Sequence, residues 1–296
     1  QGEDLKMWKP ENYGKKFYGP STVRTGLEKS RNLMTVRIAQ EIGIDKIANF
    51  AKSMKIYENP ENLLSISLGS AETTLLKLTT AYSSFVNGGK LVEPIFLDRI
   101  QDSEGNTIFN SEKRTCEKCK EISYLGEDIP KIKDNFVQIF SEETAYQITS
   151  MLEGAIKRGT GRKLKDLNLD LAGKTGTTNE NTDAWFVGFT SNLVIGVYVG
   201  HDEPKTLGKF ETGSKTALPV FKLFIEKAVK KGDARPFKVA KNIKFLVVDQ
   251  KTGKKADFGS KTTIIEAYKK NNMIKNLPNN NYLNLKLDKN NILKFY

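Results

Sequence analysis

Ala172-Gly173-Lys174-Thr175-Gly176-Thr177-Thr178, followed by Asp183-Ala184-Trp185-Phe186-Val187-Gly188-Phe189, decides how this chain is read. The second segment and Leu193–Val199 are runs of apolar, β-branched and aromatic residues. The break Thr190-Ser191-Asn192 between them suits a hairpin. Lys174 is therefore expected on or beside the first of three consecutive strands. A Lys-Thr-Gly at a strand edge presents a cation, a hydroxyl and an uncovered backbone to a substrate. The tripeptide alone has little specificity, because all three residues are common. Its meaning depends on partners elsewhere in the chain.

With 296 residues and 38% hydrophobic content, the chain can bury a core and form one or two domains. Gln1, not Met, stands first, which raises the expectation of a fragment or a processed chain. No apolar run approaches the ~20 residues of a membrane span, and the start lacks a signal-peptide pattern, so an anchor is expected outside this sequence. The net charge of +12 fits either an anionic partner or a coat of solvated lysines. The second reading is favoured. The lysines are dispersed, no aromatics interleave with them as in a nucleic-acid reader, and Lys, Asn and Ile all have A/T-rich codons. Nucleic acid is not expected as a partner. Cys116 and Cys119 sit in a charged Cys-Glu-Lys-Cys loop with His201 as the single histidine. That is too few ligands for a closed zinc site, and a loop-stapling disulfide or an idle thiol pair is favoured over redox chemistry. No metal or cofactor is expected.

Residues 1–24 read as an irregular approach segment. Helical patterning starts at Thr25, breaks at Ser30-Arg31-Asn32 and resumes from Leu33 until Gly43. Asp45 is a candidate cap for a short helix with an Ile47, Phe50, Ala51 and Met54 face. Leu75 to Val86 form another helix, closed by Asn87-Gly88-Gly89. A hairpin turns at Asp102–Asn106, and 110–135 read as an inserted loop. Ser141 caps a helix with Glu142 and Glu143 in its first turn, where the dipole favours acids. After the three strands, Pro219 fits the first turn of a helix over Ala217–Lys231, with Ala217, Phe221, Phe224, Ile225 and Ala228 on one face. One more hairpin is expected around Asp249–Gly253 within 241–268, and 269–296 read as a disordered tail. Strands followed by a covering helix give an α+β arrangement with an antiparallel sheet.

Two polar clusters stand out: Ser30-Arg31-Asn32 between helices, and Lys174-Thr175-Gly176-Thr177 on a strand. A serine and an asparagine in a short non-helical link, faced by a lysine, can shuttle a proton and orient an acyl group. The pair resembles two of three motifs, Ser-x-x-Lys, Ser-Asp-Asn and Lys-Thr-Gly, of penicillin-binding proteins and β-lactamases, with Arg31 in place of the middle aspartate. Ser67-Leu68-Gly69-Ser70-Ala71-Glu72 through Asn87-Gly88-Gly89, then Arg158-Gly159-Thr160-Gly161, then Asp183-Ala184-Trp185-Phe186, are similar to class A penicillin-binding proteins in family order. The resemblance implies a transpeptidase domain over 1–240 with the penicillin-binding/β-lactamase-like fold. It also implies a membrane-anchored enzyme at the periplasmic side of the inner membrane that cross-links peptidoglycan through a serine acyl-enzyme trapped by β-lactams. By that resemblance Ser30, with Lys174, passes a proton to the leaving amine, and Asn32 holds the substrate amide. Thr175, Gly176 and Thr177 bind the substrate, the two threonines taking the D-Ala-D-Ala carboxylate, with an oxyanion N–H from the strand at Thr177. Stem peptides, β-lactams and an upstream half of the same protein are the implied partners.

The first family motif, Ser-x-x-Lys, supplies the nucleophile, and no serine of this chain has lysine at the third position: Ser21 is followed there by Arg24, Ser30 by Leu33, Ser53 by Ile56. The chain is therefore expected to be the C-terminal part of such a domain, lacking early strands and leaving a sheet edge uncovered. Alone it is expected to be inactive. A non-catalytic remnant that binds peptidoglycan or a partner protein is the alternative, and a β-lactamase or a basic nucleic-acid binder are weaker ones.

Overall fold

The computed structural model describes residues 8–117, 131–230 and 235–270. Its centre is an antiparallel three-stranded sheet, β5 (Ala172–Thr177), β6 (Ala184–Phe189) and β7 (Val194–Val199), in that spatial order. Register pairs Lys174 with Val187 and Val187 with Gly196. The β6–β7 turn is closed by Thr190, whose hydroxyl donates to Asn192 at 2.9 Å and accepts from Leu193 N at 3.1 Å.

Alternation along β6 sorts its side chains to two faces. On one, buried Phe186 meets Phe221, Leu218 and Ile225 of helix α6 (Ala217–Ala228), with Leu164 and Leu171. On the other, Phe189 packs with Ala172 and with Leu152 of helix α5 (Glu142–Lys157). Helix α4 (Leu75–Val86) crosses the same face. A Cβ at Gly196 would lie 2.0 Å from Thr79 Oγ1, so β7 and α4 approach because that residue has no side chain. Among the described residues, the far edge of β7 has no strand partner, and Val220, Leu223 and Phe224 of α6 are exposed. Phe224 was expected in the buried face; the packed stripe instead runs through Ala217, Leu218, Phe221 and Ile225.

The helical N-terminal part comprises α1 (Val23–Glu28), α2 (Asn32–Ile42) and α3 (Ile44–Ser53). Thr22 caps α1 by accepting from Thr25 N, so the helix begins at Val23, two residues earlier than the sequence pattern placed the start. Gly43, at φ 98°, serves both as the end of α2 and as the start of α3, so Asp45 is a first-turn acid and not the cap. Ser141 caps α5 as expected.

Strands β1 (Arg99–Gln101) and β2 (Thr107–Asn110) form the expected hairpin across Asp102–Asn106. The region read as an inserted loop contains a second pair, β3 (Thr115–Glu117) with β4 (Lys131–Lys133); three-residue strands are too short to show alternation in sequence. Cys116 is disulfide-bonded; Cys119 lies outside the described residues. The C-terminal hairpin is β8 (Ile243–Asp249) with β9 (Thr263–Lys269). Its return strand starts past the residues that had suggested the turn. The tail expected to be disordered lies, from 271 onward, outside the described residues.

Candidate active site

Ser30 is set by the end of α1. The Arg31 N–H donates to Gly26 O at 2.8 Å and the Ser30 N–H to Leu27 O at 3.1 Å, the paired bonds of a Schellman motif. That motif needs a left-handed residue after the last turn, usually glycine. Here it is Ser30, at φ 54°. A side chain in this region costs on the order of 1 kcal/mol, and the cost aims the hydroxyl at β5. Lys174 Nζ donates to Ser30 Oγ at 2.8 Å and to Thr175 O at 3.0 Å. Burial lowers the Lys174 pKa from 10.5 to about 8.

Thr175 shares a 2.7 Å hydroxyl–hydroxyl bond with Thr160, which follows α5. Thr177, exposed at the end of β5, accepts from Gly213 N at 3.0 Å. A Cβ on Gly213 would come within 2.4 Å of both Gly176 O and Trp185 O. The following loop is tied by Asp183, whose N–H donates to Thr178 Oγ1 at 2.8 Å and whose Oδ1 accepts from Tyr198 OH at 2.8 Å. That hydrogen bond raises the Tyr198 pKa.

Asn32 is placed differently from the other motif residues. It is the first residue of α2, not part of a non-helical link, and its side-chain N–H donates to Glu11 O at 2.9 Å. Arg31 lies over the Tyr18 ring. The structure thus brings Ser30 and Lys174 into direct contact, with Thr175 adjoining on the strand, and holds Asn32 on the approach segment.

Beside Thr160 opens a cavity of about 630 Å³ walled by Lys29, Arg158, Arg162, Lys163 and Lys165, with Asp166 as its one carboxylate. Part of the net positive charge is therefore local to this side of the site. Thr160 and this basin were not assigned roles from sequence. Arg158–Gly161 carries a family likeness in sequence, and nothing in its spacing says that Thr160 reaches across to β5.

The model of the penicillin binding protein transpeptidase domain matches residues 1–226. The chain belongs to the penicillin-binding protein transpeptidase family. Penicillin-binding protein 1A of Rickettsia conorii is 46% identical over 275 residues, which cover 92% of this chain and 34% of that protein. The crystal structure of penicillin-binding protein 1A from Haemophilus influenzae superposes with a TM-score of 0.77 at 31% identity, covering 96% of this chain and 44% of that one. The mycobacterial PonA1 protein in complex with penicillin V shares the fold, with a TM-score of 0.60 at 22% identity, over 77% of this chain and 61% of that one. The chain spans about a third of the length of the curated relatives it matches. The α+β architecture is that of a penicillin-binding transpeptidase domain. Among the described residues no helix is long and apolar enough to cross a membrane.

Proposed function

We propose that this chain carries the C-terminal half of the site of a peptidoglycan D,D-transpeptidase, which cross-links stem peptides ending in D-Ala-D-Ala through a serine acyl-enzyme and is trapped by β-lactams. The observation that carries the reading is the Lys174–Ser30 hydrogen bond. It joins the two motif residues that chemistry requires together, from segments 144 positions apart. The family match, and a fold neighbour that binds penicillin V, support the same reading. The working location would be the periplasmic side of the inner membrane, by way of an anchor outside these residues.

In this proposal a serine Oγ gives its proton to the lysine of its own Ser-x-x-Lys segment and attacks the penultimate D-Ala carbonyl, and the C–N bond to the terminal D-Ala breaks. The leaving amine takes its proton through Ser30, which is resupplied by Lys174. An amine with a pKa near 8 is matched to such a transfer near neutral pH. The substrate carboxylate meets Thr175 and Thr177 with the Lys174 charge behind them, and the strand backbone at Thr177 contributes an oxyanion N–H, a term typically worth ~3 kcal/mol. Asn32 would reach the substrate amide by exchanging its bond to Glu11. The acylating serine is proposed to come from a Ser-x-x-Lys segment outside this chain.

Fluorescent penicillin tests this. A protein that joins this chain to an upstream Ser-x-x-Lys segment is expected to label covalently, and this chain alone is not. Labelling of the chain alone would overturn the assignment of the nucleophile. The absence of Ser-x-x-Lys favours one second reading, a remnant that binds peptidoglycan or a partner without catalysis; failure of the joined protein to label, with the fold intact, would select it.

A further inference from the structure

Two residues before Ser30 lies a buried charge cluster. Arg24 and Glu28, one turn apart on α1, are 3% and 0% exposed. Glu28 is held chiefly by Arg158, through bonds of 2.5 Å to Oε1 and 3.2 Å to Oε2, whereas Arg24 Nη1 reaches it only at 3.4 Å. The Arg24 charge is met instead from the C-terminal hairpin. Glu266 of β9 accepts from Arg24 Nε at 2.5 Å and from Nη2, a fork-to-fork pair. Ser150 takes the remaining donors, its carbonyl at 2.9 Å and its hydroxyl at 3.0 Å. Two arginines and two carboxylates thus cancel, and burial, which by itself would lower the Arg24 pKa, is outweighed by Glu266 and Glu28.

This cluster ends at the site. Glu28 O accepts from Thr160 N at 3.2 Å, and Thr160 bonds Thr175. Lys29 Nζ donates to Arg158 O. The space is cleared for Glu28 by glycines. A Cβ at Gly154 would fall 1.8 Å from Glu28 Oε1, and one at Gly159 would fall 2.1 Å from Glu28 O. Any shift of Glu28 therefore moves both the Ser30 turn and the Thr160–Thr175 bond. Glu266 lies beyond the segment that matches the transpeptidase family, which ends at 226.

We infer that Glu266 is a positioning residue for Ser30, acting through Arg24 and Glu28, so that the C-terminal hairpin completes the transpeptidase site electrostatically. Removing one partner of a buried pair leaves an uncompensated charge, and here the remaining carboxylate in contact with Arg24 is Glu28, with the buried Glu153 feeling its charge from further off. The hairpin has its own attachment to α5, through Tyr146, Ala240, Ile243 and Ala267 and a 2.8 Å bond from Gln147 Nε2 to Ala267 O. Loss of the Glu266 charge and loss of hairpin docking are therefore separable.

The inference rests on the transpeptidase reading for its kinetic arm only. In the joined protein with its Ser-x-x-Lys, Glu266→Gln is expected to slow the acylation step about ten-fold while the noncovalent penicillin constant stays within about two-fold. Glu266→Asp, which keeps the charge, is expected to recover most of that loss. In this chain alone, Glu266→Gln is expected to shift the Lys174 side-chain CH₂ resonances. Ile243→Ala, which loosens the hairpin packing and leaves the charges in place, is not. If folded Glu266→Gln leaves both the acylation rate and the Lys174 resonances unchanged, the inference is wrong. If Ile243→Ala moves Lys174 as far as Glu266→Gln does, docking and not the carboxylate positions Ser30, and the inference also falls. A joined wild-type protein that never acylates refutes the transpeptidase reading, and the resonance arm then decides the positioning alone.

Discussion

Lys174 Nζ donates to Ser30 Oγ at 2.8 Å, and Ser30 is held there in a left-handed conformation that a serine adopts at a cost. In a protein that also carries the Ser-x-x-Lys segment, Lys174→Ala is expected to lower the rate of penicillin acylation by roughly two to three orders of magnitude. The melting temperature should change little, because the cavity that alanine leaves offsets the relief of the buried charge. Stopped-flow or gel-based labelling measures it, and unchanged acylation would remove Lys174 from the mechanism.

Burial of Lys174 also makes a pH prediction. Its pKa is about 8 folded against 10.5 in the reference state. Between those values the unfolded chain binds a proton that the folded chain has released, so stability from this group rises with pH across that window and levels off above it. Below pH 8 the buried cation is a net cost. Lys174→Met is expected to raise stability at pH 7 by about 2 kcal/mol, allowing for the solvent contact the side chain retains. It should also abolish this group's contribution to the slope. Urea midpoints of both proteins at pH 7, 9 and 10.5 provide the check.

Thr160→Val would remove the hydroxyl that Thr175 bonds at 2.7 Å. With that partner gone, the Thr175 hydroxyl is free to rotate away from a substrate carboxylate. The expected result is about ten-fold weaker noncovalent capture of penicillin, with the acylation step itself less affected and stability lowered by about 1 kcal/mol. Separate fits of the binding and acylation constants distinguish this from a general loss of activity.

Gly154→Ala is expected to destabilise the fold by about 3–5 kcal/mol, although alanine is ordinarily the better helix former. The added methyl would occupy the position of Glu28 Oε1, and Glu28 has nowhere else to take its charge. Guanidinium denaturation should show a lower midpoint with an unchanged slope. A stabilised or neutral variant would mean that the Arg24–Glu28–Arg158 cluster is not under constraint.

The strands were legible because β6 and β7 are long apolar runs separated by a three-residue turn whose Thr190 and Asn192 close it by side-chain bonds. The helix capped by Ser141 was legible for the same local reason. What failed was either too short or too distant. The pair β3–β4 has three residues a side, and the α6 stripe excluding Phe224 depends on where the sheet lies. In the site, Ser30 and Lys174 could be paired only through a family likeness, since nothing local links positions 144 apart. Asn32 was assigned to the same link as Ser30, yet a single left-handed residue sufficed to break the helix, and α2 already begins at Asn32. Arg24 and Glu28 were given no role from sequence; the burial of Glu28 depends on glycines at 154 and 159, which sequence cannot bring to it.

The Arg24–Glu266 pair joins positions 242 apart, and that separation sets an order of events during synthesis. Helix α1 leaves the ribosome well before β9, carrying an arginine whose main counter-charge has yet to be translated. Contacts this far apart in sequence form after local ones, because the connecting chain must first be closed. A nascent chain halted just short of Glu266 already contains Ser30, Lys174 and Thr175, but its Arg24 lacks its principal counter-charge. Arrested chains ending on either side of that residue should differ in protease resistance around α1, so strand β9 acts as a latch on a helix translated long before it.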